Sequence, residues 1–512
     1  MDADDSLLKL SRRASALGRT DEAIELLQRH VATRRDDATT RFELARLLSD
    51  RGRHAEAVEH LEVVVQHNPQ GDGAMRNLAA SLMKIGRSAE SRRWYGAAFD
   101  RLRSSSVWSA RLMVSNGVSE LDDAEFAEEH RAFGRMLGVE EVPCPRRPAD
   151  GDRLRVGFVS ADLRRHAVAT FLEPVLEPLA ANGIEGIAFS NSSDADEVTH
   201  RLRSSFAEWH PIAKRSDEDA VDLIRRREVD VLIDLAGHTV GHRLGIFARR
   251  AAPLQATWLG YPNTTGVPAM DRRIVDEITD PPGSEDLSTE RLLRVPAPFL
   301  CYVAPPDQAA LAGPRRAGPP TYGCLNFTGK ISEASVRVWS NLLRRDPEAQ
   351  LLLKLYDACD ERGASIIRSR FEGMGVDGDR IGFAPWTDRP GEHVDAYRDI
   401  DVALDPFPYN GTTTTCEVLH AGVPVVTLPG RAHRSRVGAT LLTAIGETRW
   451  IAVDEEAYVE TAMALRRDVE RLATLRRDLP RRVAQSRLGD PAAFAAGFAD
   501  ALRDACRECS AT

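Results

Sequence analysis

Between Ile400 and Glu417 the chain reads Ile-Asp-Val-Ala-Leu-Asp-Pro-Phe-Pro-Tyr-Asn-Gly-Thr-Thr-Thr-Thr-Cys-Glu. This is a short strand, a turn, and a helix that opens with Thr412, Thr413, Thr414 and Thr415 and runs to His420. The first turn of a helix leaves backbone N–H groups without intrahelical partners, and its dipole attracts anions. Threonine hydroxyls placed after the Asn410-Gly411 turn add donors, so the spacing suits a phosphate or diphosphate. One threonine is enough to cap a helix, and four in a row exceed that need. Lysine occurs only at positions 9, 84, 214, 330 and 354. Lys330, in Gly323-Cys-Leu-Asn-Phe-Thr-Gly-Lys-Ile331, follows a strand, where a compact ammonium on a flexible stem can track charge developing on a leaving diphosphate. Taken alone it reads as well as a solvated surface lysine. The Gly-x-x-x-x-Gly-Lys-Ser/Thr phosphate loop is absent.

Two further groups follow apolar runs. Leu154-Arg-Val-Gly-Phe-Val159 leads into Ser160-Ala-Asp-Leu-Arg-Arg-His166, which sets Asp162 and His166 four residues apart where a helix would begin. Val229-Asp-Val-Leu-Ile-Asp234 leads into Leu-Ala-Gly-His238-Thr-Val-Gly241. Histidines in such places are candidate general bases, or donors to a sugar or phosphate. Capping and loop hydrogen bonds account for each equally well when it is taken singly.

From Leu154 onward, β-branched runs alternate with helical stretches such as residues 217–227, the mark of a parallel sheet. A stretch rich in Ala, Gly and Pro, 305–320, separates them from a second alternating series with strands at 349–354, 402–405 and 423–427. The expected fold class is therefore α/β, with two doubly wound, Rossmann-like lobes at residues 151–310 and 311–512 and a cleft between them. In such sheets, ligands bind at the carboxyl ends of the strands, where both histidine motifs fall.

Ahead of the lobes the chain repeats itself. Gly18, Gly52 and Gly86 recur every 34 residues, each followed by Arg and then by Glu22, Glu56 and Glu90. Leu10, Leu44 and Leu78 share one helical position, and Ala14, Leu48 and Leu82 another. Ala23, Ala57 and Ser91 take the small-residue position where paired helices cross. The pattern resembles the tetratricopeptide repeat and predicts three helical hairpins over residues 1–105, with Asn68-Pro69 closing the second. Each hairpin has an apolar face that only a neighbour can cover, so three form a short superhelix with a peptide-sized groove. A spacer or a dimer surface is the plainer reading. Ser91 and the bulky Trp94-Tyr95 break the third repeat and mark a transition to a non-repeat neighbour. Residues 106–150 read as a helical linker ending in Pro143-Cys-Pro-Arg-Arg-Pro148.

The 512 residues carry a net charge of −9, which excludes the broad basic field of a nucleic-acid binder. With no signal-peptide core and no run of 18 apolar residues, the chain is expected to be cytoplasmic, without a membrane partner. Seven scattered cysteines, the Cys506-Arg-Glu-Cys509 pair included, make neither a disulfide scaffold nor a zinc-ligand pattern. Association into a homo-oligomer stays open.

In this order, the motifs resemble glycosyltransferase family 41, the protein O-linked N-acetylglucosamine transferases, and within it the SPINDLY-type branch that includes protein O-fucosyltransferases. The resemblance rests on Val156-Gly-Phe-Val-Ser-Ala-Asp-Leu-Arg-Arg-His166, Asp234-Leu-Ala-Gly-His-Thr239, Pro253-Leu-Gln-Ala-Thr-Trp-Leu-Gly-Tyr-Pro-Asn-Thr-Thr-Gly266, Phe299-Leu-Cys-Tyr302, residues 326–330, residues 405–417 and His433-Arg-Ser-Arg-Val-Gly438. It covers nearly the whole chain. It implies a GT-B fold and an inverting transfer that needs no metal and no cofactor, only a nucleotide-sugar co-substrate. The first expectation is N-acetylglucosamine moved from UDP-N-acetylglucosamine to Ser or Thr of a protein. GDP-fucose is the competing donor, a flagellin or surface-protein sugar a further alternative, and a scaffold that senses a nucleotide sugar the non-enzymatic one.

The same resemblance assigns roles. Lys330 stabilises the leaving diphosphate, and His166, His238 and Asp234 complete the catalytic group, with His166 as base or positioning residue. Asn326, His393, Asn410, Gly411, Thr412, Thr413, Thr414, Thr415, Glu417 and Arg436 bind the nucleotide sugar, with Thr413 and Thr414 on the diphosphate, Glu417 at the ribose and His393 near the base or ribose. Asp162, Tyr261, Pro262 and Thr264 lie on the sugar and acceptor side, and a protein acceptor binds through the repeats and the cleft. The sequence departs from the family at Thr412, a histidine in vertebrate-type enzymes, at Phe327, and at Gly329, where Ala or Tyr is common.

Overall fold

A computed structural model describes residues 3–68, 71–138, 153–305, 313–354, 361–384 and 392–511. The proline-rich linker at 143–148, Pro69 and part of the second linker lie outside the described residues. The chain divides into two compact units, Met1–Val118 with Cys324–Asp388, and Ser119–Gly323 with Arg389–Thr512.

In the first unit, three hairpins pair α1 (Ala3–Ala16) with α2 (Thr20–Thr33), α3 (Ala38–Asp50) with α4 (His54–His67), and α5 (Asp72–Lys84) with α6 (Ser88–Leu102). The repeated glycines do the same work each time: Gly18, Gly52 and Gly86 have φ of 73°, 71° and 80°, a left-handed turn that costs glycine nothing. The repeated Arg–Glu pair also has a shared geometry. Arg19, Arg53 and Arg87 precede the second helix of each hairpin without a side-chain cap, and each pairs with the glutamate three residues on.

Leu44 and Leu78 are fully buried, whereas Leu10 is 48% exposed, because no described hairpin packs ahead of the first repeat. Ser91 fits its crowded crossing because its hydroxyl donates to Ala79 O at 2.6 Å. The break in pattern coincides with α7 (Ser105–Ser115), which packs on α6.

The rest of this unit belongs to the second lobe. Strands Gln350–Lys354 and Ile381–Ala384 pair in parallel. The helix Glu361–Glu372 packs on α4, with Arg362 paired to Glu59, and the turn Thr328–Lys330 packs on α5.

The second unit starts with α8 (Asp123–Leu137) and a seven-stranded parallel sheet. Its strands are β1 (Leu154–Ser160), β2 (Ile184–Ser190), β3 (Glu208–Pro211), β4 (Val231–Asp234), β5 (Leu254–Thr257), β6 (Arg272–Val275) and β7 (Arg291–Arg294), in the order β3-β2-β1-β4-β5-β6-β7. The order reverses between β1 and β4, so the carboxyl ends of those two strands flank the crevice where doubly wound sheets bind ligands. The helix α9 (Ala167–Ala181) returns from β1. The same unit holds the second-lobe strands Thr321–Cys324, Val402–Leu404 and Val425–Val426, paired in parallel.

The helix Pro491–Ala511, grouped by sequence with the second lobe, packs on α9, β5 and β7, and its Phe494 and Phe498 cover Trp258 with ring centroids 5.9 and 4.9 Å away. Cys506 lies buried on this helix, and burial pushes its thiol up to about 12.

The helix α8 and the loop after β5 meet without side chains between them. A Cβ on Gly134 would overlap the carbonyl oxygen of Gly266, and one on Gly266 (φ 73°) would overlap that of His130. Gly134→Ala should therefore lower the stability of this unit by roughly 2–3 kcal/mol through overpacking. Gly446→Ala, at φ 76° in the turn that ends the helix Val437–Ala444 and with nothing within 4 Å of its would-be Cβ, should cost only about 1 kcal/mol of left-handed strain. Calorimetric unfolding of both variants measures the difference, and equal costs would show that the contact is not tight.

Candidate functional site

The sugar-side residues lie at the carboxyl ends of β1 and β4. After β1, Ser160 Oγ accepts Asp162 N–H at 2.9 Å, and the backbone of His166 is extended so that the residue caps α9, its Nδ1 accepting Val168 N–H at 3.3 Å. Asp162 is buried and its Oδ2 lies 3.8 Å from Nδ1, while the imidazole is 40% exposed. Burial lowers the His166 pKa against the opposing pull of Asp162. With its Nδ1 lone pair committed to the cap, the neutral ring carries its proton on Nε2 and can donate from there.

After β4, Asp234 organises the next turn. Its carboxylate accepts Ala236 N–H (3.1 Å), Gly237 N–H (2.7 Å) and Thr257 Oγ–H (2.9 Å). It is fully buried, and burial raises its pKa to about 6 in spite of those donors. His238 follows, buried among Phe133, Tyr261, His130 and His242. Its Nε2 lies 2.9 Å from Thr265 O, which can only accept, so Nε2 carries the proton. The same reasoning fixes His130: Nδ1 donates to Phe126 O at 2.7 Å, and Nε2 accepts the Tyr261 hydroxyl at 2.9 Å.

The loop after β5 is folded around Glu290. This buried carboxylate accepts Thr264 Oγ–H (2.6 Å), Thr265 N–H (2.7 Å), the Thr265 hydroxyl and Ser288 Oγ–H (2.8 Å). Thr264 is wholly buried and its hydroxyl is spent on Glu290, whereas Pro262 is half-buried beside Tyr261. Glu290 carries no motif signal of its own in the sequence, because apart from Ser288 its partners lie 25 and 26 residues away.

The anion-site candidates are in the same unit. The helix Thr413–His420 starts as the pattern predicts, and no side chain caps it; Thr412 occupies the N-cap, and Thr412, Thr413 and Thr414 are partly exposed while Thr415 is buried. Asp405, buried and not singled out from the sequence, shapes the approach: its Oδ1 accepts Gly411 N–H and its Oδ2 accepts Thr427 Oγ–H, both at 2.7 Å. Asn410 donates from Nδ2 to Pro406 O and from N to Arg434 O. Near the helix's first turns, Glu417 is held by His393 Nε2 at 3.1 Å and by the Tyr397 hydroxyl at 3.3 Å, so the two residues assigned to the nucleoside end stand together.

Arg436 spans to the first lobe. Its Nε donates to Ile278 O at 2.7 Å and its Nη1 to Gly430 O at 2.8 Å. Alongside it, Asp280 is clamped between Arg273 (3.0 Å) and His433; burial would raise its pKa, but these two partners hold it well below the usual carboxylate range. Asp276 accepts Thr440 Oγ–H at 2.7 Å and Phe299 N–H at 2.8 Å. Acidic residues of the β6–β7 connection thus hold the segment from His433 to Thr440, which meets Asn410 through Arg434 O and Gly438 N–H.

Asn326 and Lys330 belong to the first unit. Asn326 is buried with Nδ2 3.7 Å from Cys324 Sγ, and Lys330 ends the turn Thr328–Lys330, partly exposed. Among the described residues no group of three or more His, Cys, Asp or Glu is arranged to hold a metal, and no helix is long and apolar enough to cross a membrane.

A repeat superhelix followed by two Rossmann-like lobes with ligand motifs at their strand ends defines a repeat-bearing glycosyltransferase architecture. The chain belongs to glycosyl transferase family 41, whose model matches residues 140–303 and 320–497, and a tetratricopeptide-repeat model matches residues 14–82. It is 35% identical over 402 residues, 75% of this chain and 42% of the relative, to the probable UDP-N-acetylglucosamine–peptide N-acetylglucosaminyltransferase SPINDLY of Solanum lycopersicum. It is 30% identical over 339 residues, 64% of this chain and 34% of the relative, to the corresponding enzyme named SEC of Arabidopsis thaliana. The chain spans less than half the length of these relatives. A lysine-to-methionine mutant of the Thermobaculum terrenum O-GlcNAc transferase superposes with a TM-score of 0.88 at 31% identity, covering 100% of this chain and 99% of that one.

The buried histidines make the second unit acid-sensitive. Burial lowers the pKa of His130 to about 3 and of His242 to about 4, against 6.5 in the unfolded chain. Between these values the unfolded state binds more protons, so stability is full above pH 6.5 and falls as pH drops toward 4. Asp234 runs the other way, but only between 3.8 and about 6. His130→Gln should flatten the stability–pH curve between pH 4 and 6 by about 1.4 kcal/mol per pH unit, one proton's worth. Chemical unfolding at stepped pH checks this, and an unchanged slope would show that His130 does not stay neutral in the folded state.

Proposed function

We propose that this chain is a protein O-glycosyltransferase that moves N-acetylglucosamine from UDP-N-acetylglucosamine to a Ser or Thr hydroxyl of a protein, in one inverting displacement and without a metal. The observation that carries the reading is the uncapped N-terminus of the helix Thr413–His420, with its approach loop fixed by Asp405 and the His393–Glu417 pair on its flank. That terminus offers free N–H groups and hydroxyls to a diphosphate, and the pair offers polar contacts to the nucleoside. The family supplies the reaction class. The donor follows from the names of the relatives, which specify UDP-N-acetylglucosamine, and from the likeness to a bacterial O-GlcNAc transferase.

In this mechanism the acceptor hydroxyl attacks the anomeric carbon as the bond to the diphosphate breaks, and the hydroxyl proton passes, directly or through water, to the departing diphosphate. Lys330 supplies positive charge to the diphosphate as it leaves, which lowers the barrier because the charge grows toward the transition state. His166 acts as a hydrogen-bond donor to the sugar or acceptor rather than as an obligatory base, since an oxocarbenium-like centre is already strongly electrophilic. The acceptor polypeptide reaches the site by way of the repeats.

Lys330→Met should lower kcat by about a thousandfold, the scale of losing one preorganised charge-stabilising group, while leaving UDP affinity within a few fold. Turnover near that of the unaltered chain would remove Lys330 from the mechanism. UDP should raise the melting temperature more than GDP or CMP, because only a ligand that binds the native state stabilises it. A larger shift with GDP would overturn the donor assignment, and loss of transfer in EDTA would overturn metal independence.

A further inference from the structure

We infer that the third repeat is part of the transfer machinery, with Ser88 as a positioning residue that sets the peptide plane from which Lys330 projects. The inference rests on the leaving-group role proposed for Lys330 and goes beyond it, because it gives the repeats a task other than gripping an acceptor.

The contacts converge on one peptide bond. Ser88, in the first turn of α6 and 7% exposed, donates from Oγ to Gly329 O at 3.2 Å. The turn after α7 approaches the same oxygen so closely that a Cβ on Gly117 would overlap it. The other polar end of that peptide, Lys330 N–H, donates to Phe327 O at 2.9 Å. A peptide group is planar, so fixing its C=O from the repeats and its N–H from within the loop fixes that plane and the N–Cα bond of Lys330; the next peptide, held by Ile331 N–H on Thr328 O and Ser332 N–H on Lys330 O, both at 3.0 Å, fixes the rotation about that bond and with it the Cα–Cβ direction.

The packing around this bond repeats the arrangement. A Cβ on Gly329 would lie 2.6 Å from Phe327 Cε1 and 3.3 Å from Met83 Cγ, so the residue preceding the lysine must be glycine where Phe327 and α5 close over it. Lys84 Nζ stands 5.4 Å from the centre of the Phe327 ring. Gly86, whose counterpart Gly18 has open space around it, faces Arg370 and Thr328 at 2.9 and 3.3 Å from its would-be Cβ. Arg370 in turn donates to Ile331 O at 2.9 Å. Residues from α5, from the first turn of α6 and from the turn after α7 therefore enclose the loop on the repeat side. The departures from the family at Phe327 and Gly329 are part of this contact.

The test is a double-mutant cycle on the full chain. Ser88→Ala should lower kcat about fivefold, the effect of one ordinary hydrogen bond, with the donor KM unchanged; the lost buried bond lowers the melting temperature as well, so kcat is read well below it. Ser88→Thr, which keeps the hydroxyl, should restore kcat. In a Lys330→Met background, where the cation is already gone, Ser88→Ala should cost nothing further, since residues acting through one group are non-additive. Full kcat in Ser88→Ala, no recovery in Ser88→Thr, or the same fold loss in both backgrounds would overturn the inference. Should Ser88→Ala not fold, Ser88→Cys, whose thiol donates only weakly, goes through the same cycle. Lys330→Met with ordinary turnover would instead overturn the leaving-group role, and it is read independently of Ser88.

Discussion

A helix terminus can receive an anion only if nothing in the protein has already filled it, and that constraint governs the second unit. The Thr412 to Thr415 segment provides more donors than a cap requires, yet the N-cap residue Thr412 makes no side-chain cap hydrogen bond to use them. Asp405 is the nearest carboxylate in sequence that could have done so. Both its oxygens are spent elsewhere, on Gly411 N–H and on Thr427, and its burial leaves it no freedom to swing. A buried carboxylate with all its hydrogen bonds made is stiff, because leaving any of them unmade is costly. The loop before the helix is therefore held in place while the helix end stays open.

The sugar side follows the same logic with different groups. Asp234 and Glu290 are fully or nearly fully buried, and their oxygens are occupied by backbone N–H groups and hydroxyls of neighbouring loops. Neither reaches into the crevice. Their effect is on His238 and on the Tyr261–Gly266 segment, whose shapes depend on them. Asp280, between Arg273 and His433, and Asp276, joined to Thr440, connect these loops to the segment behind Asn410. Polar groups that look reactive in a motif divide here into those that face outward, such as His166, and those that fold the loops.

Much of this was legible in the sequence. The 34-residue recurrence of Gly18, Gly52 and Gly86 identifies the hairpins because each glycine answers a local backbone demand. The strand–turn–helix pattern around Asn410 is also local, and so is the placement of Asp162 and His166 at the start of α9. What sequence reading left out depends on distant pairing. Asp405 stood inside a recognised motif, but its role became visible only once Thr427 lay beside it. Glu290 was missed because Thr264 and Thr265, the partners that give it a task, are far along the chain. The burial of Thr264 could not be read from its type, since a threonine serves a surface or a carboxylate equally well. The contact of Ser88 and Gly117 with Gly329 joins residues more than two hundred positions apart, and the repeat pattern gives no sign of it, because Ser88 occupies an ordinary first-turn position.

The helix Pro491–Ala511 lies on the first sheet, where Phe494 and Phe498 cover Trp258. During synthesis the strands of that sheet leave the ribosome long before this helix does. Until it arrives, an apolar face that includes an indole is open to water and to other chains, the condition under which intermediates of large proteins stick together. The first lobe can form its strand order early but cannot close its surface until the second lobe has been made, so the two lobes mature together even though each has its own sheet. A shortened chain that ends before Phe494 would be expected to leave Trp258 open, so the helix Pro491–Ala511 acts as a latch on the first sheet.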